Sequence, residues 1–274
     1  MSQTLVVAEA GSCHDGKLDA MGEMIRVAKN AGADVCKFQW TSSPERLAAR
    51  RHAEEYLWAY RTIAFPRDWL TDLKNQCDAA DIEFMCTVYL PEDVPLIAPL
   101  VQRFKVASFE ALDLEFLRAH AGYAHATLGH HEKEAIVSTG MLTEPEITLI
   151  RNEQYASPSS LPPIRFLHCV AAYPAPLNEL NLHHLRTREY AGFSDHTGFA
   201  WTGALAVAAG ASILEVHFRL DSTSPQNPDY GHSLGPAQLK EYIANVRLTE
   251  AAFGGGGKGV TPSEERWAKY RVRA

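Results

Sequence analysis

The stretch that decides the fold is Gly192-Phe-Ser-Asp-His-Thr-Gly-Phe-Ala-Trp-Thr-Gly-Ala-Leu-Ala-Val-Ala-Ala-Gly-Ala-Ser-Ile-Leu-Glu-Val-His217. Strand-like runs at 192–194 and 213–217 flank a small, apolar, helix-like segment at 203–210. Strands joined through a helix run parallel, so their carboxyl ends lie at the same edge of a sheet. His196 and His217 stand at those two ends, and neighbouring imidazoles can bind a divalent metal. We therefore expect a metal site at this edge.

The same alternation of strand and helix extends along the chain. Helix-like segments are expected at 19–32, from near Pro66, from Pro91, at 143–152 and at 236–252, with a longer excursion at 40–63. The expected strands are 5–9, 34–38, 83–86, 104–106, 135–138, 164–169, 192–194 and 213–217. These units predict an α/β fold, a single-domain (β/α)8 TIM barrel over 1–253, with a glycine-rich linker and tail at 254–274.

A doubly wound open sheet is the alternative arrangement of these elements. That fold does not need eight strand–helix units, and its first turn usually carries the pattern G-x-G-x-x-G. The first turn here, Glu9-Ala-Gly-Ser-Cys-His-Asp-Gly16, does not match that pattern. The closed barrel is therefore favoured.

Composition argues against several classes of protein. A net charge of −7 over 274 residues gives no indication of nucleic acid or an anionic membrane as a partner. No apolar run reaches the ~20 residues that span a bilayer, and the amino terminus has no signal-peptide core, so we expect a cytoplasmic location. The 5 cysteines are odd in number and form no C-x-x-C pair, which argues against a disulfide framework or a structural zinc site.

Polar side chains stand at the end of nearly every expected strand. Barrel enzymes build their active sites where the strands end and the following loops begin. Buried carboxylates and lysines are costly unless they are paired or liganded; a structural salt bridge explains any single one, but hardly the whole set. The candidates at these ends and loops are Glu9, Lys37, Gln39, Thr87, Lys105, Ser108, Glu110, Ser138, Tyr173, Ser194 and Asp229.

Two lysines supply the positive charge expected at this mouth. Lys37 and Lys105 belong to non-adjacent strands and are expected to converge over the barrel. Hydroxyl groups at the same edge come from Thr87, Ser108, Ser138 and Ser194. Two cations with several hydroxyls suit a doubly anionic group, such as a phosphate with a carboxylate. When no substrate is bound, each lysine is expected to pair with Glu9 or Glu110.

The metal candidates are His196 and His217, with Asp195 and Glu215 close in sequence. A site with two or three protein ligands leaves coordination positions open for water and substrate. Oxygen-rich surroundings favour Mn²⁺ or Mg²⁺ as the cofactor, although imidazole also accepts Zn²⁺.

Taken together, the motifs resemble those of the sialic acid synthase (N-acetylneuraminate synthase) family, from Glu9 to about Glu265. They are Ala-Glu-Ala-Gly-Ser-Cys-His-Asp-Gly, Ala-Gly-Ala-Asp-Val-Cys-Lys-Phe-Gln, Lys-Val-Ala-Ser-Phe-Glu, Ser-Thr-Gly-Met, Leu-His-Cys-x-x-x-Tyr-Pro, Gly-Phe-Ser-Asp-His-Thr-Gly and Leu-Glu-Val-His-Phe. The resemblance implies a (β/α)8 barrel and a transferase that condenses phosphoenolpyruvate with an aldose, N-acetylmannosamine or a related acylamino sugar. Carbon–oxygen cleavage then releases phosphate and leaves a 2-keto-3-deoxy sugar acid.

The resemblance also implies a role for each candidate residue. It assigns the metal to His196 and His217, and catalysis to Glu9, Glu110 and His217. It assigns the sugar and reacting centre to Gln39, Tyr173 and Asp229. It assigns phosphoenolpyruvate to Lys37, Thr87, Lys105, Ser108, Ser138, Ser194 and Lys258.

Several positions depart from the family pattern. Cys13 stands where the family usually has asparagine, Ala171 where it has a phosphate-side asparagine, and Tyr230 where it has histidine. Full-length members carry a C-terminal antifreeze-like domain that closes over the partner's sugar site in a dimer and supplies an arginine, and we expect this chain to lack it. The acceptor could then be another aldehyde, or a separate protein could complete the site. A homodimer is a further expectation.

Two other functions fit parts of the pattern. A metal-dependent barrel aldolase or sugar isomerase would use the metal without the phosphate-binding lysines. A non-catalytic binding homologue would bind ligands without turnover, and Ala171 is the departure that keeps this alternative open.

Overall fold

Eight short strands form the sheet of the computed structural model, which describes residues 3–124, 133–187, 189–254 and 257–272. The strands are β1 Leu5–Glu9, β2 Val35–Gln39, β3 Glu83–Thr87, β4 Phe104–Val106, β5 Ala135–Ser138, β6 Ile164–Cys169, β7 Gly192–Asp195 and β8 Ile213–His217. Each strand pairs in parallel with the next in the chain, and β8 pairs with β1 to close the barrel. The predicted (β/α)8 fold is confirmed, with strand ends displaced by at most one residue.

The helices cover the outside of this sheet. They are α1 Leu18–Ala31, α2 Pro44–Arg51, α3 Leu57–Tyr60, α4 Asp68–Ala79, α5 Val94–Ile97, α6 Leu114–Ala124, α7 Glu144–Ala156, α8 Thr202–Ala209, α9 Pro236–Phe253 and α10 Glu265–Ala268. The expected excursion at 40–63 contains α2 and α3, and Pro91 opens a 3₁₀ turn, Pro91–Asp93, before the short α5. No helix among the described residues is long and apolar enough to cross a membrane.

The interior of the barrel changes from apolar to polar along the strands. An apolar layer near the strand starts consists of Val7, Val35, Met85, Ile136, Leu167 and Ile213. Side chains two residues apart on a strand point to the same face. The next inward layer therefore consists of Glu9, Lys37, Thr87, Ser138, Cys169 and Glu215. Strand register thus places the polar groups together directly above a packed apolar floor.

The last barrel helix, α9, makes contacts near both ends of the barrel. Near its middle, Tyr242 is buried and its hydroxyl donates to Asp195 Oδ2 at 3.2 Å, beneath the mouth. Near its end, Arg247 Nη1 donates to the carbonyl of Thr4 at 2.8 Å, at the amino-terminal end of β1. α10 lies beyond α9 in the predicted linker and tail, of which Gly255, Gly256 and residues 273–274 lie outside the described part of the chain.

Candidate active site

A cavity at the carboxyl ends of the strands gathers most of the predicted site residues. It is lined by Lys37, Gln39, Thr87, Tyr89, Lys105, Ala107, Ser108, Ser138, Tyr173, Ser194, His196, Glu215 and His217. The predicted convergence of these side chains is therefore observed, while their individual roles remain predictions.

Glu215 links the two lysines at the floor of this cavity. Its Oε1 lies 3.5 Å from Lys105 Nζ, and its Oε2 lies 3.5 Å from Lys37 Nζ. Ser194 donates a hydrogen bond to Oε1 at 2.9 Å. The sequence motif had suggested Glu215 only as a neighbour of the metal residues. Its position on β8, directly paired with β7, turns it instead into the shared counter-ion of both lysines.

Each lysine also contacts a hydroxyl group from its neighbouring strand. Lys37 Nζ donates to Thr87 Oγ1 at 2.9 Å and contacts the carboxylate of Glu9, as expected for a site without substrate. Lys105 Nζ donates to Ser138 Oγ at 2.9 Å, and its carboxylate partner is Glu215 rather than the expected Glu9 or Glu110. An anion entering the cavity would therefore meet ammonium and hydroxyl groups that are already oriented.

Burial and neighbouring charges change the pKa values of Lys37 and Glu215 at this floor. Burial lowers the pKa of Lys37 to about 8, with the charge of Lys105 acting in the same direction and Glu215 opposing it. Burial by itself would raise the pKa of Glu215, but Lys105 and Lys37 outweigh it and hold that pKa at about 2. Glu215 is therefore ionised at neutral pH, and Lys37 is charged below about pH 8.

Glu110 occupies a second buried ion pair at the edge of the mouth. Arg51, the last residue of α2, donates from Nε to Glu110 Oε1 at 2.8 Å and from Nη2 to Oε2 at 2.9 Å. Its guanidinium lies over the rings of Tyr89 and Phe109, at 4.8 and 4.6 Å from their centroids. Tyr89 in turn donates to Gln39 Oε1 at 2.6 Å. Burial raises the pKa of Glu110, and Arg51 opposes that rise.

The predicted metal histidines lie side by side. The ring centroids of His196 and His217 are 5.5 Å apart. His196 Nδ1 lies 2.9 Å from the carbonyl oxygen of Val170. This contact occupies Nδ1, so Nε2 is the ring nitrogen that the backbone does not engage. Burial, with the nearby imidazoles and lysines, depresses the pKa of His217, so this ring is neutral at physiological pH. A neutral imidazole is the form that binds metal.

His232 is the residue that sequence reasoning missed. It lies in a 3₁₀ turn, Tyr230–His232, and its ring centroid is 4.7 Å from that of His217. Possible ligand atoms of His217, Asp229 and His232 all lie within 4.8 Å of one another. The signal in the sequence was Asp229-x-x-His232, the spacing of one helical turn. The structure thus groups His232, rather than His196, with His217 and Asp229.

The positions that depart from the family pattern have simple surroundings. Cys13 is buried outside the cavity, with Sγ 3.5 Å from Ser233 Oγ. Tyr230 packs under Arg219, whose guanidinium lies 4.2 Å from the ring centroid. Ala171 lies against Gly140, where an added Cβ would come within 2.9 Å of the alanine Cβ.

Lys258 is the predicted residue that the structure does not bring to the mouth. It is exposed and borders a surface depression formed with Trp267, Ala268 and other residues of the tail. The reason is the direction of α9, whose end lies beside the start of β1, at the opposite end of the barrel. The expectation that Lys258 contacts phosphoenolpyruvate in its own barrel is therefore corrected.

The closed parallel barrel and the polar cavity at its strand ends define the chain as a (β/α)8-barrel enzyme. A sequence profile of the NeuB family matches residues 24–258. The chain belongs to the NeuB family, and it is a transferase-type enzyme like the synthases of that family.

Individual relatives agree with this placement. The N,N'-diacetyllegionaminic acid synthase of Campylobacter jejuni is 31% identical over 97% of this chain and 82% of its own length. Human N-acetylneuraminate-9-phosphate synthase is 30% identical over 94% of this chain and 74% of its own length. Among solved structures, the N-acetylneuraminic acid synthetase of Leptospira borgpetersenii superposes with a TM-score of 0.85, at 26% identity, over 98% of this chain and 92% of that one.

Proposed function

We propose that the protein condenses phosphoenolpyruvate with the open-chain aldehyde of N-acetylmannosamine or a related acylamino sugar. The products are a 2-keto-3-deoxy sugar acid and inorganic phosphate. The observation that carries the proposal is the pair of buried lysines, Lys37 and Lys105, which share the carboxylate of Glu215 at the floor of the cavity. Two buried cations beside several hydroxyls suit a small ligand with both a phosphate and a carboxylate.

The binding roles follow from position. Lys37 and Lys105 neutralise the anionic groups of phosphoenolpyruvate, and exchange part of their contact with Glu9 and Glu215 for contact with the substrate. Hydroxyl groups that donate to the same anion come from Thr87, Ser108, Ser138 and Ser194. On the sugar side are Gln39 and Tyr173, which line the cavity, and Asp229, which lies near His217. The names of the relatives support an acylated amino sugar as the acceptor.

The chemistry balances with water as the third reactant. The methylene carbon of phosphoenolpyruvate attacks the aldehyde carbon and forms the new carbon–carbon bond, while the aldehyde oxygen takes up a proton. Water adds to the adjacent carbon and gives a tetrahedral intermediate. Cleavage of the carbon–oxygen bond to the phosphoryl group releases phosphate and forms the 2-keto group. Glu9 and Glu110 hold the protons that move in these steps, and Glu215 keeps the lysines charged and placed.

A divalent metal, Mn²⁺ or Mg²⁺, suits the imidazoles at the mouth. His217 Nδ1 and His232 Nε2 are both buried without a hydrogen-bond partner among the described residues, so both nitrogens are available as ligand atoms. His196 and His217 would hold the ion, with further positions left for water and substrate. Its chemistry there is Lewis-acid polarisation of the aldehyde and acidification of bound water.

A coupled assay for phosphate release tests the proposal. Purified protein with Mn²⁺ and phosphoenolpyruvate is offered a panel of aldoses that includes N-acetylmannosamine and modified hexosamines. Release of phosphate that depends on both substrates, with a 2-keto acid as product, is the expected result. The Lys105→Met variant is the matched negative control, because its unbranched side chain keeps most of the length and loses the charge.

The assay also separates the alternatives. Conversion of a sugar without consumption of phosphoenolpyruvate would indicate an aldolase or isomerase and overturn the proposal. Binding of phosphoenolpyruvate by calorimetry without turnover with any acceptor would indicate a non-catalytic homologue.

A further inference from the structure

Asp229 and His232 are neighbouring side chains that do not form a hydrogen bond with each other. Asp229 Oδ1 and His232 Nε2 lie 3.8 Å apart, which is too far for a hydrogen bond. Metal–nitrogen and metal–oxygen bonds of about 2.0–2.2 Å place two ligand atoms about 3–4 Å apart around one ion. The separation of these atoms is therefore that of two ligands and not of a hydrogen-bonded pair.

The surrounding contacts hold this separation in place. The other carboxylate oxygen of Asp229, Oδ2, accepts hydrogen bonds from Ser12 N and from Ser12 Oγ, both at 2.7 Å. His232 Nε2 and His217 Nδ1 are buried and have no hydrogen-bond partner among the residues described. The Asp229 carboxylate is thus fixed by one oxygen, and two imidazole nitrogens nearby remain available.

Gly11 leaves room at the same point. Its φ of +52° lies in the left-handed region that favours glycine. A Cβ at this position would lie 2.4 Å from Asp229 Oδ2 and 3.1 Å from His217 Nδ1. The absence of a side chain keeps the space beside both groups open.

We propose that His232 is a third imidazole ligand of the divalent metal, joining His217 and His196, and that Asp229 is the carboxylate of the same site. The three rings are mutual neighbours, with centroid separations of 4.7 Å for His217–His232, 5.5 Å for His196–His217 and 6.1 Å for His196–His232. His232 thereby supplies an imidazole from the loop in which Tyr230 stands at the family's usual histidine position.

The proposed ligand set has a consequence for metal choice. Three nitrogen donors and one carboxylate favour transition metals such as Mn²⁺ and Co²⁺ over Mg²⁺, which prefers oxygen donors and bound water. We therefore expect the metal-free protein to bind Co²⁺ and Mn²⁺ more tightly than Mg²⁺.

The test measures metal binding without any substrate. Metal-free protein is titrated with Mn²⁺ and Co²⁺ for the wild type, His232→Gln and a control, His184→Gln. His184 is an imidazole outside the mouth that packs against His168, with ring centroids 5.2 Å apart. Loss of His232 is expected to weaken Mn²⁺ binding by about tenfold or more, as for other groups that support a metal site, while the control binds like the wild type. Wild-type affinity in a folded His232→Gln variant would overturn the proposal.

A second measurement needs no variant. Pulsed electron paramagnetic resonance of the Mn²⁺-loaded wild type counts the histidine nitrogens coupled to the ion. Three coupled imidazoles are expected, and two would overturn the proposal. The inference rests on the proposed use of a metal at this mouth, but the failures are distinguishable. A protein that binds Mn²⁺ through three imidazoles and releases no phosphate from phosphoenolpyruvate keeps the metal site and loses the proposed condensation.

Discussion

Arg51 donates two parallel hydrogen bonds to the carboxylate of Glu110, at 2.8 and 2.9 Å, at the edge of the barrel mouth. The side chains are 13% and 2% exposed, so the pair is screened poorly by solvent. Arg51 comes from α2, in the long segment between β2 and α4, whereas Glu110 follows β4. The pair therefore joins α2 to the mouth of the barrel.

Removal of Arg51 should destabilise the protein strongly. Arg51→Ala leaves the buried Glu110 carboxylate uncompensated, a change that typically costs about 3–5 kcal/mol. The control is Arg46→Ala on the same helix, whose pair with Glu92 is exposed (67% and 37%) and is worth about 0–1 kcal/mol. Urea denaturation compares the free energies of unfolding. Equal small losses for both variants would contradict a structural role for the buried pair.

Loss of the Lys105 charge should lower the efficiency with which the enzyme uses phosphoenolpyruvate. The buried ammonium donates to Ser138 and lies beside Glu215, and a hydrogen bond from a charged group contributes about 1.5–3 kcal/mol. Lys105→Met is therefore expected to lower kcat/KM for phosphoenolpyruvate by about 10- to 150-fold. Lys29→Met, which alters an exposed ion pair with Asp81, is the control. Retained activity in Lys105→Met would favour the aldolase or isomerase alternative.

The affinity for phosphoenolpyruvate should fall at alkaline pH. The pKa of Lys37 is lowered from 10.5 to about 8, so the fraction of charged ammonium decreases as pH rises through that value. The dissociation constant, measured by calorimetry from about pH 7 to about pH 10, is expected to rise progressively above pH 8. In Lys37→Arg the guanidinium stays charged over this range and the rise should disappear. A flat profile in the wild type would refute the assignment of Lys37 to the anion.

Glu215 should contribute to stability in a way that depends on pH. Its pKa is lowered from 4.5 to about 2 in the folded protein, so the unfolded chain binds the proton more readily between these values. The contribution is fully present above about pH 4.5 and is lost as pH falls toward 2. We expect Glu215→Gln to be less stable than the wild type at neutral pH, with a difference that shrinks on acidification. Denaturation curves at several pH values measure that difference, and a constant difference would contradict the argument.

Closure of the barrel should not tolerate a side chain at residue 192. A Cβ on Gly192 would lie 1.8 Å from the carbonyl oxygen of Ile213 on the neighbouring strand β8. Gly192→Ala is therefore expected to cost more than about 3 kcal/mol or to prevent folding. The matched control is Gly122→Ala in α6, where an added Cβ meets nothing within 4 Å and should stabilise the helix by up to about 1 kcal/mol. Thermal unfolding and soluble yield provide the comparison.

Most of the barrel could be predicted from local pattern because short apolar runs alternate with helical segments. The strand-end residues were also predictable, since alternation along a strand places Glu9 above Val7 and Lys37 above Val35. Arg51 and His232 could not be found in this way. Both lie in segments outside the regular strand–helix alternation, and only long-range contacts decide which loop side chains return to the mouth. Lys258 was assigned by family position, and the direction of α9 carries it away.

The chain's sequence by itself determined the eight-unit barrel, the polar edge and the presence of lysines and hydroxyls at that edge, because these depend on periodicities of two and 3.6 residues. The tertiary structure alone decided which lysines form ion pairs with Glu215, which arginine pairs with Glu110 and which histidine lies next to His217. These relationships join residues far apart in the chain, and they exist only after strand register and loop packing have brought the groups into contact.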